Sequence, residues 1–117
     1  MTQRKSKDYE DFVRNALRWG DLQEQGQYRA GNRYATEIEK LGRKLREDEE
    51  GQKILVELIQ HVSPYVQIWA AKDCLAFAPQ LAESKLQALE DSIGSFATDA
   101  REVLAEWRKG TLFRSDQ

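Results

Sequence analysis

The chain has 117 residues, 40% apolar and 32% charged, which suits one globular domain whose helices each keep a wet face. Lys and Arg number 18 against 20 Asp and Glu, so the strong basic excess of a general nucleic-acid binder is absent. A lone cysteine, Cys74, rules out an intrachain disulfide and reads as a small core residue of a reducing compartment.

Helical periodicity runs almost end to end and no segment alternates as a strand does, so the fold class expected is all-α. In the first segment Tyr9, Phe12, Val13, Ala16, Trp19 and Gly20 share a face, and Asp8, Glu10 and Asp11 form an acidic start that suits the positive end of a helix dipole. Gly26 marks a break. The second helix, over residues 27–46, carries the stripe Gly31, Tyr34, Ala35, Ile38, Leu41, Gly42 and Leu45. Glycine weakens a helix, so Gly31 and Gly42 are expected where a neighbouring helix comes close.

Asp48, Glu49, Glu50 and Gly51 read as a linker to a third helix over 52–62, with His61 at its C-terminal end. Ser63-Pro64 reads as an N-cap with proline at the first helical position, opening a helix over 64–77. Ala78-Pro79 closes that helix and starts the next, over 79–93. After Gly94-Ser95 a last helix covers 96–109, with Phe96, Ala100, Val103, Leu104 and Trp107 inward and Gly110 as its cap. Residues 1–7 and 114–117 are expected to be flexible, leaving a single domain of about six helices in antiparallel hairpins.

A weak repeat links the last two hairpins. Leu55, Leu58, Val62 and Ser63 recur about thirty residues on as Leu86, Leu89, Ile93 and Gly94. Val66, Ala70, Cys74 and Phe77 likewise recur as Phe96, Ala100, Leu104 and Trp107. Recurrence at that spacing is the mark of stacked helical hairpins.

Little in the chain suggests chemistry. His61 and Cys74 are each the only residue of their type, too few for a zinc site, and no glycine-rich phosphate loop occurs. Glu37, Glu39, Asp48, Glu49, Glu50 and Asp91 stand in polar surroundings, where a raised carboxyl pKa is not expected. No catalytic residue and no cofactor is therefore expected. The helix over 64–77 is apolar nearly all round and leaves a strip of Tyr65, Trp69, Lys72, Asp73 and Ala76. Two readings stand for Tyr65 and Trp69: packing against the second or sixth helix, or exposure as anchors for a partner.

The segment Pro64-Tyr65-Val66-Gln67, followed by Ala70-Ala71 and Leu75, resembles the second helix of a HEAT repeat. Gln67 stands where those repeats usually carry arginine, so the buried ionic ladder that such arginines join is not implied here. Across residues 8–113, Ala30-Gly31-Asn32-Arg33, Val66 through Trp69-Ala70-Ala71 to Leu75, and Ala78-Pro79 with Ala82 and Leu86 are similar to a small bacterial HEAT-like family catalogued as a domain of unknown function. The resemblance implies an α-α superhelix without known activity, and relatives of this kind act as immunity proteins beside secreted toxins.

The function expected is thus a non-enzymatic, cytoplasmic protein-binding module, in its most concrete form an immunity protein neutralising a cognate toxin. Tyr65, Trp69, Lys72 and Asp73 are the expected contacts, with Asp48, Glu49 and Glu50 as an acidic rim. A nucleic-acid binder working through Arg29, Arg33, Lys40, Arg43, Lys44 and Arg46 is the first alternative, and a self-associating subunit the second. Residues 1–7 are polar and basic with no apolar run behind them and no stretch is apolar enough to span a bilayer, so neither a signal peptide nor a membrane partner is expected.

Overall fold

A computed structural model of the chain describes residues 3–113, with side chains from residue 7 onward. Six helices follow in order: α1 (Gln3–Glu24), α2 (Tyr28–Arg46), α3 (Glu49–Leu58), α4 (Pro64–Cys74), α5 (Pro79–Glu90) and α6 (Phe96–Lys109). The all-α expectation is met. Residues 3–7, expected to be flexible, are the first turns of α1, while the fraying expected of 114–117 lies outside the described residues.

Helix ends follow local chemistry. At both Gly26 (φ 74°) and Gly110 (φ 77°) the chain enters the left-handed region. There the next amide bonds back to the carbonyl five residues earlier, Gln27 to Leu22 and Thr111 to Glu106. Ser63 Oγ accepts the Tyr65 amide at 3.2 Å, which makes Ser63 the expected cap, with Pro64 behind it.

The acidic run at 48–50 is not a linker. Asp48 caps α3 by accepting the Gly51 amide at 2.8 Å, and Glu49 and Glu50 form the first turn, where the dipole favours them. Conversely Asp8, Glu10 and Asp11 lie beyond the first turn of α1, and Asp8 is buried opposite Lys44 of α2, at 3.6 Å.

Three helices end earlier than their apolar periodicity suggests: α3 at Leu58, α4 at Cys74 and α5 at Glu90. His61 therefore sits in the α3–α4 turn rather than on a helix, its Nδ1 accepting the Ser63 amide at 3.0 Å. Val62 and Ile93, matched as repeat positions, lie in the turns after α3 and α5 and are 91% and 98% exposed.

Ion pairs set helix directions. Lys44 to Asp8 makes α1 and α2 antiparallel; Arg101 to Glu90 and Arg108 to Glu83, both 3.2 Å, do the same for α5 and α6. At one end Tyr65 at the start of α4 meets Ser95 and Phe96 at the start of α6. At the other, Arg46 of α2 meets Asp73 of α4 and the Phe113 ring just past α6. Helices α2, α4 and α6 therefore run the same way.

Helix α4 packs against all five others, whereas α2 does not touch α6 and α3 does not touch α5. Buried Val66, Ile68, Ala70, Ala71, Cys74 and Leu75 make it the centre of the core. Two glycines admit its neighbours: a Cβ on Gly20 of α1 would overlap the Tyr65 ring, and one on Gly42 of α2 would overlap the Asp73 carboxylate. Gly31, by contrast, has room for a methyl, with its nearest foreign atom 3.5 Å from the Cβ position. The radius of gyration is 13.3 Å, close to the roughly 13 Å of a compact globule of this length.

Candidate functional site

Because α2 and α6 flank α4 without meeting, a groove of about 620 Å³ opens between them. That volume lies in the roughly 300–1,000 Å³ range of ligand sites. Its floor is the outward side of α4, with Ile68, Trp69, Lys72 and Asp73. Glu39, Arg43 and Arg46 line the α2 wall, and Asp99, Glu102, Val103 and Glu106 the α6 wall. Trp19 lines it from α1, while the left-handed turn at Gly110 brings Thr111, Leu112 and Phe113 to the lining.

The two walls differ in charge and in how that charge is answered. On the α2 side, Arg46 Nε lies 3.2 Å from Asp73 Oδ1 and its guanidinium 4.5 Å from the centre of the Phe113 ring. Lys72 Nζ lies 3.5 Å from Glu39 and 5.1 Å from the centre of the Trp69 ring. On the α6 side the carboxylates of Asp99, Glu102 and Glu106 have neither an ion-pair partner nor a hydrogen-bond donor among the described residues. Burial, and secondarily the charge of Glu102, push the Asp99 carboxyl up to about 6.

Trp69 is packed, not exposed. It is 9% accessible and meets Trp19 edge-on at 5.3 Å, so α1 supplies the cover that had been expected of α2 or α6. Its indole Nε1 is buried without a hydrogen-bond acceptor among the described residues. Tyr65, 8% accessible, is likewise enclosed between Trp19 and Phe96, at 5.9 and 6.1 Å. Its hydroxyl donates to Glu24 at 2.6 Å and lies 3.2 Å from Ser95 Oγ. Burial, then the bond to Glu24, raise the phenol pKa. The exposed-anchor reading of both aromatics is thereby corrected, and Tyr65 is not part of the groove.

Of the residues singled out from the sequence, the structure brings Trp69, Lys72 and Asp73 together on the groove floor. Asp48, Glu49 and Glu50 are elsewhere, at the start of α3, where Glu49 edges a separate depression with Val56 and Phe77. The α6 carboxylates went unnoticed in the sequence. Their spacing at 99, 102 and 106 was the available signal, since it puts all three on one helical face. Among the described residues no group of three metal-ligating side chains converges.

The chemically active side chains are committed elsewhere. Cys74 is buried in the core, and burial, with Asp73 nearby, pushes its thiol up to about 12, far from the reactive thiolate. Basic residues of α2 are largely matched: Lys40 to Glu37 at 3.7 Å, Lys44 to Asp8, Arg46 to Asp73, with Arg33 over the Tyr34 ring. No helix among the described residues is long and apolar enough to cross a membrane. Comparison with protein-family models, with curated proteins and with solved structures finds no match to this chain.

Proposed function

We propose that this chain is a non-enzymatic binding module that takes a segment of another protein into the groove between α2 and α6. The observation that carries this reading is the groove itself: concave, floored by Trp69, and set between a wall bearing Arg43 and Arg46 and a wall bearing Asp99, Glu102 and Glu106. Aromatic floors and polar walls are the anatomy of protein-recognition sites, where a few anchored contacts dominate. Neither the chain's cysteine nor its histidine lies in the groove, Cys74 being in the core and His61 in the α3–α4 turn.

The HEAT-like resemblance gives the reading its most specific form, an immunity protein whose partner is a secreted toxin. Internal neutralisation of the α2 cations weighs against the nucleic-acid alternative, because counterion release needs phosphates to find those cations available.

Capture by the tagged chain from native lysate, followed by mass spectrometry, tests the proposal. One stoichiometric protein should be retained, and Glu106→Trp, which fills the groove from an exposed position, should reduce retention by about tenfold or more. Recovery of nucleic acid in a salt-sensitive manner, or of the chain alone, would overturn it.

A further inference from the structure

Antiparallel hairpins gather three turns at one end of the molecule. The Tyr65 hydroxyl at the start of α4 ties them together: it donates to Glu24 at the end of α1, at 2.6 Å, and lies 3.2 Å from Ser95 Oγ just before α6. In or beside each of these turns one large apolar side chain stands in solvent. Tyr28 is 61% exposed, Val62 91% and Ile93 98%. Among the described residues no other large hydrophobic side chain exceeds 40%, and the turns at the opposite end, 47–48 and 75–78, expose none. None of the three lines the groove.

The surroundings of these tips are nearly free of charge. Charged residues make up 32% of the chain, yet residues 25–27, 59–63 and 91–95 hold a single one, Asp91. Arg29 is the one cation adjoining a tip in sequence, and Glu24 is engaged by Tyr65. Local bonds hold the two most exposed tips in place. The Ser63 amide donates to His61 Nδ1 at 3.0 Å beside Val62, and Ser92 Oγ donates to the Leu89 carbonyl at 2.6 Å beside Ile93.

Clustered apolar exposure marks a contact with a protein or with a membrane. Protein interfaces concentrate their energy in Trp, Tyr and Arg seated in matching pockets, and valine is a poor hot spot. Two of these three tips are β-branched aliphatics on separate turns. A bilayer accepts separate tips without a matching shape, in proportion to the apolar area they bury, and tyrosine favours its headgroup level. With no lysine or arginine in the turns themselves, attraction to anionic headgroups has little to act through.

We propose that this end of the molecule rests on a neutral lipid surface of the phosphatidylcholine kind, with Val62 and Ile93 entering the acyl boundary and Tyr28 lying at the headgroups. The contact is peripheral, so the lack of a bilayer-spanning helix among the described residues does not bear on it. Three side chains bury less apolar area than an acyl anchor, which makes the attachment weak and reversible.

The test is co-sedimentation of the full chain with phosphatidylcholine vesicles at millimolar lipid, with Val62→Ser/Ile93→Ser alongside. Both positions are exposed, so the variant should keep the parent's urea midpoint. The parent should bind saturably, with the same affinity from about 0.1 to about 1 M salt and no gain from added phosphatidylserine. The variant should bind about tenfold or more weakly, because apolar area sets the affinity. No binding, binding that needs phosphatidylserine and fades with salt, or equal binding by the variant would overturn the proposal. Sedimentation velocity without lipid supplies the last outcome: a dimer of the parent that the variant does not form would assign the tips to a second copy of this chain and overturn the lipid assignment.

Discussion

At the scale of single residues, Trp69 and Asp99 are side chains whose environments cost the fold something. Trp69 carries a buried N–H without an acceptor, a situation worth roughly 1–3 kcal/mol. Trp69→Phe keeps a ring against Trp19 and deletes that donor, so its stability should lie within about 1 kcal/mol of the parent. Trp69→Ala removes the ring and should cost about 3–5 kcal/mol. Urea unfolding distinguishes the two, and a large loss in the phenylalanine variant would mean that the indole N–H is bonded after all.

Asp99 makes the opposite kind of prediction, one in pH. Its carboxyl titrates near 6 in the fold, against about 3.9 in an unfolded chain. The folded state therefore binds the extra proton between those values, and stability rises as pH falls through 6 toward 4. Above pH 6 the full penalty is present. Asp99→Asn removes it, and should be more stable than the parent by on the order of 1–2 kcal/mol near pH 8, after allowance for partial solvent screening. That difference should vanish near pH 4. Equal urea midpoints at both pH values would show that Glu102 and the solvated side of the groove leave Asp99 unstressed.

At the scale of helices, two glycines on one stripe have different reasons to be there. Gly42 lets α2 descend onto Asp73, which is short, buried and tied to Arg46, so it cannot swing aside. Gly42→Ala must part that ion pair or lift the helix, at a cost of about 2–4 kcal/mol. Gly31 meets only ordinary van der Waals neighbours, so Gly31→Ala should gain about 0.5–1 kcal/mol through helix propensity alone. Thermal or urea unfolding of the pair checks both signs.

This contrast marks how far the sequence could be read. Helix starts were legible where a local device announces them, as at Ser63-Pro64, Ala78-Pro79 and Phe96, and so was the stop at Gly110. The start of α3 was not, because a cap and an acidic first turn look the same as a polar linker until the Asp48 carboxylate is seen on the Gly51 amide. Ends of α3, α4 and α5 were overrun because Val62, Phe77 and Ile93 continue the apolar period past the last helical bond. The groove floor was half legible: Trp69, Lys72 and Asp73 were identified as a strip, yet its cover, Trp19 on α1, is a contact between distant parts of the chain that no local pattern encodes.

At the scale of the whole molecule, the hairpins α1–α2, α3–α4 and α5–α6 pack in chain order, the first and third each meeting the middle one but not each other. Every other helix leans on α4, the second helix of the middle hairpin. In a long array of such units an end can peel away while the remainder stands, but with three hairpins each end supplies part of the middle one's cover. Here no end is independent. Removing α5 and α6 would take Phe96 from the Tyr65 ring, and removing α1 would take Trp19 from Trp69.

The molecule should therefore melt as one cooperative unit. Tryptophan fluorescence and far-ultraviolet helicity should trace a single superimposable transition, and a fragment ending at Ala78 should fail to fold alone. Separate transitions for the two probes would instead reveal a chain that opens in steps. A partner seated in the groove would brace both flanks of the helix on which all the others depend, so occupancy on one side should slow the opening of amides throughout the molecule.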